Sequence, residues 1–156
     1  YLEKVVKRLL QREEDLKEYY SSILSAFELD DGHFMHKEDK SFFEKMMQNI
    51  DSHIQDSELS VELLSNSLGY STRQFYRRLK SITDKTPADI IREYRLTIVE
   101  RLLLTTQLSI EEIMDKTGFN NRGTFYKAFS QKFKMTPKQF RNQKKKDVQA
   151  GVSGET

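Results

Sequence analysis

Gly118-Phe-Asn-Asn-Arg-Gly-Thr-Phe-Tyr-Lys-Ala-Phe-Ser-Gln-Lys-Phe133 is the stretch on which the reading of this chain turns. A helix from about Asn121 places Phe125, Phe129 and Phe133 four residues apart on one face, with Ala128 beside them. Arg122, Thr124, Lys127 and Ser130 fall elsewhere on its surface, and the segment contains no acid. One side therefore calls for a hydrophobic core and the other for an anion. A short cationic helix entered through a Gly-marked turn is what a helix-turn-helix needs to enter a DNA groove. A solvated basic face on an ordinary amphipathic helix would look the same if the pattern stood alone.

The pattern occurs twice. Ser60-Val-Glu-Leu-Leu-Ser-Asn-Ser-Leu-Gly-Tyr70 aligns with Ser109-Ile-Glu-Glu-Ile-Met-Asp-Lys-Thr-Gly-Phe119. After a one-residue insertion in the second copy, Phe75-Tyr76-Arg77 matches Phe125-Tyr126-Lys127, and Thr86-Pro87 matches Thr136-Pro137. The shared order is capped helix, Gly-aromatic turn, cationic helix, Thr-Pro. A duplicated unit with matched punctuation is far harder to reach by chance than one basic helix.

Composition agrees with a helical reading. The 156 residues are 37% hydrophobic and 32% charged, enough for one or two cores under a well-solvated surface. Only 2 Pro and 6 Gly leave little punctuation for a many-turned β fold. The net charge of +2 hides an uneven distribution. Residues 28–39 are acidic, whereas both cationic helices and residues 138–146 carry no acid. The chain has no Cys, which fits a reducing cytoplasm and excludes a disulfide frame or thiol nucleophile. No apolar run approaches a membrane span and no signal peptide is visible. The opening Tyr1 reads as a fragment of a longer chain.

Residues 1–28 lack Gly and Pro and read as one long helix. Leu2, Val6, Leu9, Glu13, Leu16, Tyr20, Ile23 and Phe27 alternate spacings of four and three, a heptad seam with one acidic interruption. Three readings stand: a parallel coiled coil joining two subunits through residues 2–27, a helix packed on an upstream domain, or a helix simply unmasked by truncation. Residues 29–40 form the linker, with Asp30-Asp31-Gly32 as a turn signal. His33, His36 and His53, without Cys or an organised set of acids, do not make a metal site, and no cofactor is implied. From Ser41, with Ser41-x-x-Glu44 as its capping box, a helix presents Phe42, Phe43, Met46, Met47, Ile50 and Ile54. Ser60 opens the next helix, Gly69 supplies the positive φ of the turn, and Tyr70 packs beneath it.

Ser71-x-x-Gln74 caps the first cationic helix, about residues 71–82, with Phe75, Leu79 and Ile82 facing inward. Thr72, Arg73, Tyr76, Arg77 and Lys80 are left for solvent or ligand. Thr86-Pro87 starts a helix to about Leu104 or Thr105, roughly 27 Å long at about 1.5 Å per residue. Successive major-groove faces lie about 34 Å apart, so a strut of this order can hold two reading helices on adjacent turns. The second unit repeats the scheme, with its reading helix at about residues 121–133. A last short helix carries Phe140, and residues 144–156 read as a disordered tail. The fold class expected is all-α: two helix-turn-helix subdomains joined by a long central helix and preceded by a long N-terminal linker helix.

Gly118-Phe119, Phe125, Phe129, Phe133 and Thr136-Pro137 through Phe140-Arg141 resemble the second helix-turn-helix of the AraC/XylS family of bacterial transcription regulators. Arg95-Leu96-x-x-Val99-x-x-Leu102-Leu103 is similar to that family's connector, with Val where Ala is usual. The resemblance spans about residues 41–142. Asp84 and Lys134 depart from it, standing where Gly is common after each cationic helix, and Met114 replaces a small residue. A left-handed cap suits Asp better than Lys, which predicts local strain or a different exit from the second helix. The AraC-type domain behind a long helix also resembles the output end of hybrid two-component regulators, in which a receiver domain precedes the linker.

The resemblance implies sequence-specific binding of double-stranded DNA and transcription regulation, as activator or repressor, with RNA polymerase as a further partner. The lack of Cys, of a His–acid pair and of a Gly-rich phosphate loop argues against an enzyme. Base readers carried over fall at Arg73, Tyr76, Arg77, Asn121, Arg122 and Thr124, and residues 41–143 form the DNA-binding domain. Arg73 and Arg77 suit guanine, whose O6 and N7 a guanidinium can pair bidentately. Asn121 either reads adenine or caps its own helix, and Tyr76 either meets a thymine methyl or shields the turn. Backbone phosphates are expected at Ser60, Thr72, Lys80, Ser109, Lys127, Thr136 and Lys138. The rival reading is a protein-interaction module that keeps the helical scaffold and no longer reads DNA.

Overall fold

The computed structural model describes residues 37–153, together with Glu3, Glu14, Leu16, Lys17, Glu18 and Ser21, each of which is helical. The heptad seam of residues 2–27 otherwise lies outside the described residues, as do the turn at residues 30–32, His33 and His36. Among the described residues the helices are α1 (Lys37–Ser52), α2 (Val61–Ser67), α3 (Thr72–Ile82), α4 (Pro87–Thr105), α5 (Ile110–Lys116), α6 (Arg122–Phe133) and α7 (Pro137–Ser153). No strand is present among them. The chain divides into two compact units, one ending at Tyr94 and the other beginning at Arg95, with Gln55–Ser57 joining the second. The division falls inside α4, so that helix supplies buried residues to both: Ile90, Ile91 and Tyr94 to the first, Leu96, Val99 and Leu103 to the second.

In the first unit α1 lays down Phe42, Phe43, Met46, Met47 and Ile50, all buried. Phe42 meets Tyr70 edge-on at 5.4 Å and Phe75 at 5.7 Å, so the aromatic residue of the turn is held by α1. The Tyr94 hydroxyl donates to Asp51 at 2.6 Å, which satisfies the polar tip of a fully buried ring. The second unit is built on phenylalanine. Ring centroids lie 5.0 Å apart for Phe119–Phe125, 6.1 Å for Phe125–Phe129, 4.4 Å for Phe129–Phe133 and 5.7 Å for Phe129–Phe140. The buried Phe125, Phe129 and Phe140 side chains each contribute roughly 1.5–3 kcal/mol by leaving water, and the half-buried Phe119 and Phe133 less. Arg95, half-buried, donates from Nη2 to the Asp56 carbonyl at 2.8 Å and ties residues 55–57 to this unit. Burial draws its guanidinium below the ordinary value, and Asp56 partly offsets this.

Both turns close in the same way. Gly69 and Gly118 sit at φ 79°. Tyr70 N donates to Ser65 O at 2.9 Å and Gly69 N to Asn66 O at 3.1 Å. Phe119 N donates to Met114 O at 2.9 Å and Gly118 N to Asp115 O at 3.4 Å. This crossed pair satisfies the carbonyls at the end of each supporting helix and turns the chain toward the next one. The caps were legible in sequence. Ser60 Oγ accepts from Leu63 N, Ser109 Oγ from Glu112 N, and Ser71 with Gln74 forms the full reciprocal box.

Three expectations need correction. α1 begins at Lys37, not Ser41, so residues 37–40 are not linker and the Ser41 box does not form. Glu38 and Asp39 in the first turn complement the helix dipole, and Asp39 is paired with Arg78 at 3.0 Å. α7 runs through Ser153, so the last helix is long and residues 144–153 are not a disordered tail. Lys144 through Ala150 are mostly good helix formers, and no Pro or Gly interrupts them before Gly151. The two Gly-replacing positions also differ from one another. α3 ends on an extended Thr83 (φ −149°), and Asp84 takes no left-handed conformation. Lys134 takes the full left-handed cap at φ 61°.

Thr86 and Asp89 cap α4 reciprocally, with Asp89 N on Thr86 Oγ1 at 3.1 Å. The Thr86 side chain, and then Arg92, hold the Asp89 carboxyl below its ordinary value. A carboxylate favoured by folding contributes stability above the ordinary carboxylate range, and that contribution is lost as pH falls through the lowered value. Asp89→Asn should therefore lower stability at neutral pH and flatten its loss on acidification, read from urea midpoints between neutral and acid pH. A non-Gly residue in the left-handed region costs about 1–2 kcal/mol. Allowing for the extra freedom of unfolded Gly, Lys134→Gly should stabilise by about 0.5–1 kcal/mol, read as a higher urea midpoint at unchanged slope.

Candidate nucleic-acid interface

Each supporting helix delivers the chain to an N-cap, and each cap opens a helix with no acid in its first turn. On α3, Phe75, Leu79 and Ile82 are buried while Arg73, Tyr76, Arg77 and Lys80 are exposed and Thr72 is half-buried. Tyr76 keeps 46% of its surface in solvent, which is high for an aromatic ring beside a core. Arg73, Arg77 and Lys80 make no ion pair among the described residues. Arg78 does: besides Asp39, its guanidinium lies 5.8 Å over the Phe42 ring. The sequence does not show why two of three neighbouring arginines stay available and the third does not. Helical geometry turns Arg78 toward α1 and the other two away from the core.

On α6, Asn121, Arg122, Thr124 and Lys127 are exposed over buried Phe125, Ala128 and Phe129. Asn121 Oδ1 accepts from Thr124 N at 2.9 Å, so the carbonyl end of that side chain serves as the cap. Gly123 allows this closely: a Cβ there would lie 3.3 Å from the same oxygen. Arg122 is not free. Its Nη1 lies 3.0 Å from Glu111 Oε1 on α5, its Nη2 lies 3.4 Å from the Tyr126 hydroxyl, and its carbon centre stands 5.2 Å over the Tyr126 ring. The pair is exposed, so it contributes about 0–1 kcal/mol to stability. Lys127 makes no ion pair among the described residues.

The remaining expected phosphate contacts are spread over other elements. Ser60 is half-buried and Ser109 exposed, each using its hydroxyl oxygen in its own cap. Thr136 is half-buried and caps α7 reciprocally with Gln139, at 3.2 Å and 3.0 Å, and Lys138 follows it, exposed.

Sequence reasoning missed Arg141 as a determinant of the site. From α7 it donates to three carbonyls: Nε to Leu103 at 3.1 Å, Nη1 to Leu108 at 2.7 Å and Nη2 to Thr106 at 3.4 Å. The fork thereby fastens the end of α4 and the loop leading to Ser109, and so sets where α5 begins. In the sequence the residue stands only as part of a motif, because its partners lie more than thirty residues away.

A family model described as a helix-turn-helix domain matches residues 64–143, which takes in both turns. The chain belongs to the AraC-type helix-turn-helix family of DNA-binding transcription regulators. It is similar to the regulatory protein SoxS of Escherichia coli K12, 32% identical over 93 residues that make up 60% of this chain and 86% of that protein. It is also similar to the transcriptional regulator AlkR of Acinetobacter baylyi, 33% identical over 54% of this chain. A third relative is histidine kinase P4 of Formosa agariphila, 30% identical over 67% of this chain. The AraC-type chain spans only 8% of that kinase and 28% of AlkR. Among solved structures, the C-terminal domain of the two-component response regulator yesN from Fusobacterium nucleatum aligns with TM-score 0.60 and 28% identity, over 65% of this chain and 98% of that one. The DNA-binding domain of AdpA in complex with a target DNA aligns with TM-score 0.58 and 25% identity, over 64% of this chain and 88% of that one.

Removing the Arg141 fork leaves three carbonyls to find water. Arg141→Ala should cost about 2–3 kcal/mol in urea unfolding, given the strength of hydrogen bonds to a charged donor. Arg141→Lys should recover only part of it, since an ammonium cannot span the three acceptors.

Proposed function

We propose that this AraC-type chain is the DNA-reading output part of a transcription regulator, with α3 and α6 as its recognition helices. One observation carries this reading. Two independently capped helices, each presented by the same left-handed glycine turn, bury their aromatic side and expose acid-free Arg, Lys and amide groups. Arg73, Arg77 and Arg122 read base edges, Thr124 and the amide nitrogen of Asn121 add hydrogen bonds, and Tyr76 offers an apolar edge to a thymine methyl. Lys80, Lys127 and Lys138 neutralise phosphates, joined by Thr72 and by the caps at Ser60, Ser109 and Thr136. Each of the two recognition helices is proposed to enter a major groove.

The chain acts without catalysis, in the cytoplasm, downstream of a receiver or sensor module, and as an activator. Residues 2–27 pair two copies, and RNA polymerase is the onward partner. The histidine kinase and response-regulator relatives support the upstream part of this proposal, and no described helix is long and apolar enough to cross a membrane.

Selection of bound duplexes from a random pool tests the reading directly. The selected sequences should share a motif whose binding weakens steeply with salt. A chain that enriches no sequence and shows no salt-dependent shift is an interaction module instead. On the selected duplex, Arg77→Ala should cost about 1–3 kcal/mol and relax one base position, whereas Lys127→Ala should weaken all sequences alike and reduce the salt slope by about 1. A uniform loss from Arg77→Ala would move that residue to the phosphate backbone.

A further inference from the structure

We infer that Glu111 is a positioning residue for DNA reading, holding the Arg122 guanidinium so that α6 prefers one base and tolerates non-specific duplex poorly. The inference rests on the proposal that Arg122 is a base reader. It is carried by a three-sided hold on one exposed side chain: Glu111 Oε1 at 3.0 Å from Nη1, the Tyr126 hydroxyl at 3.4 Å from Nη2, and the Tyr126 ring 5.2 Å beneath the guanidinium. Both charged partners are about two-thirds exposed, at 67% and 64%, so the hold adds little to folding. Its effect falls on the freedom of Arg122. A long side chain restrained from two different helices gives up less entropy when it meets a base.

Donor capacity permits the dual role. A guanidinium carries five N–H groups; Glu111 and Tyr126 occupy one each, which leaves three for a guanine edge. The carboxylate also discriminates. A phosphate approaching Arg122 must either displace Glu111 or sit beside its negative charge, and a base edge carries no such charge. The first unit provides an internal contrast. Glu62 occupies the place of Glu111, but Thr72 stands where Arg122 stands, so that unit has no guanidinium to hold there. The device therefore belongs to the second reading helix.

The test combines Glu111→Ala, Glu111→Gln, Arg122→Ala and the double variant Glu111→Ala/Arg122→Ala. Each is read by duplex selection, by affinity for the selected and a scrambled duplex at two salt concentrations, and by thermal melting. Arg122→Ala should relax one base position. Glu111→Ala should relax that same position, raise affinity for the scrambled duplex several-fold and lower the melting midpoint only slightly, by the loss of a first-turn acid and an exposed ion pair. Glu111→Gln should retain part of the preference, because its amide oxygen still accepts from Nη1, while the scrambled duplex still gains affinity. In the double variant the Glu111 change should have no further effect on preference. If Glu111→Ala strengthens all duplexes alike with every preference intact, or relaxes only positions that Arg122 does not read, the inference is overturned and Glu111 is only a surface charge. If Arg122→Ala relaxes no position, the base-reading assignment of Arg122 falls, and the role of Glu111 falls with it.

Discussion

A left-handed glycine just after the C-cap of each supporting helix is the constraint on which the rest of the structure depends. At φ 79°, Gly69 and Gly118 let two crossed hydrogen bonds close the helix end, and the chain is then delivered to a side-chain cap that starts the next helix. An aromatic residue follows each glycine and is drawn into the core: Tyr70 against Phe42, Phe119 against Phe125. Backbone conformation, capping and aromatic burial thus fix the rotation of α3 and α6 about their own axes. That rotation decides which cations are left outside.

The two units solve the helix exit differently. The first leaves α3 through an extended Thr83 and spends no left-handed residue. The second places Lys134 at φ 61° and carries the steric penalty, held by Lys134 N on Ser130 O at 2.9 Å and by Phe133 packed on Phe129 and Phe140. Strain tolerated at the end of a proposed reading helix is consistent with a core rich enough in phenylalanine to over-determine it.

Charge is allotted unevenly on the exposed faces. Arg78 and Arg122 both belong to cationic helices, yet one is spent on Asp39 of α1 and the other is held by Glu111 of α5. Arg141, outside both reading helices, donates from all three of its nitrogens to backbone carbonyls. Counting basic residues would treat all of these as DNA contacts alongside Arg73 and Arg77. Of these three, only Arg122 lies on an exposed reading face, and it has Glu111 as a protein partner.

The helical class, the duplicated unit, both glycine turns and the caps at Ser60, Ser71 and Ser109 were legible in the sequence, whereas Asn121 stands open there between cap and base reader, and only the structure shows its Oδ1 accepting from Thr124 N. The turns and caps are local matters, written in residues one to four positions apart, and the duplication repeats them about fifty residues on. The start of α1 at Lys37 and the run of α7 to Ser153 were missed because linker-like charge and tail-like lysines are also good helix formers. By itself the sequence determined where the helices of the duplicated units lie and that two of them carry cations without acids. Only the tertiary structure decided which of those cations stay available, because Asp39 with Arg78, Glu111 with Arg122, and the carbonyls held by Arg141 are partners far apart in the chain that packing alone brings within hydrogen-bond reach.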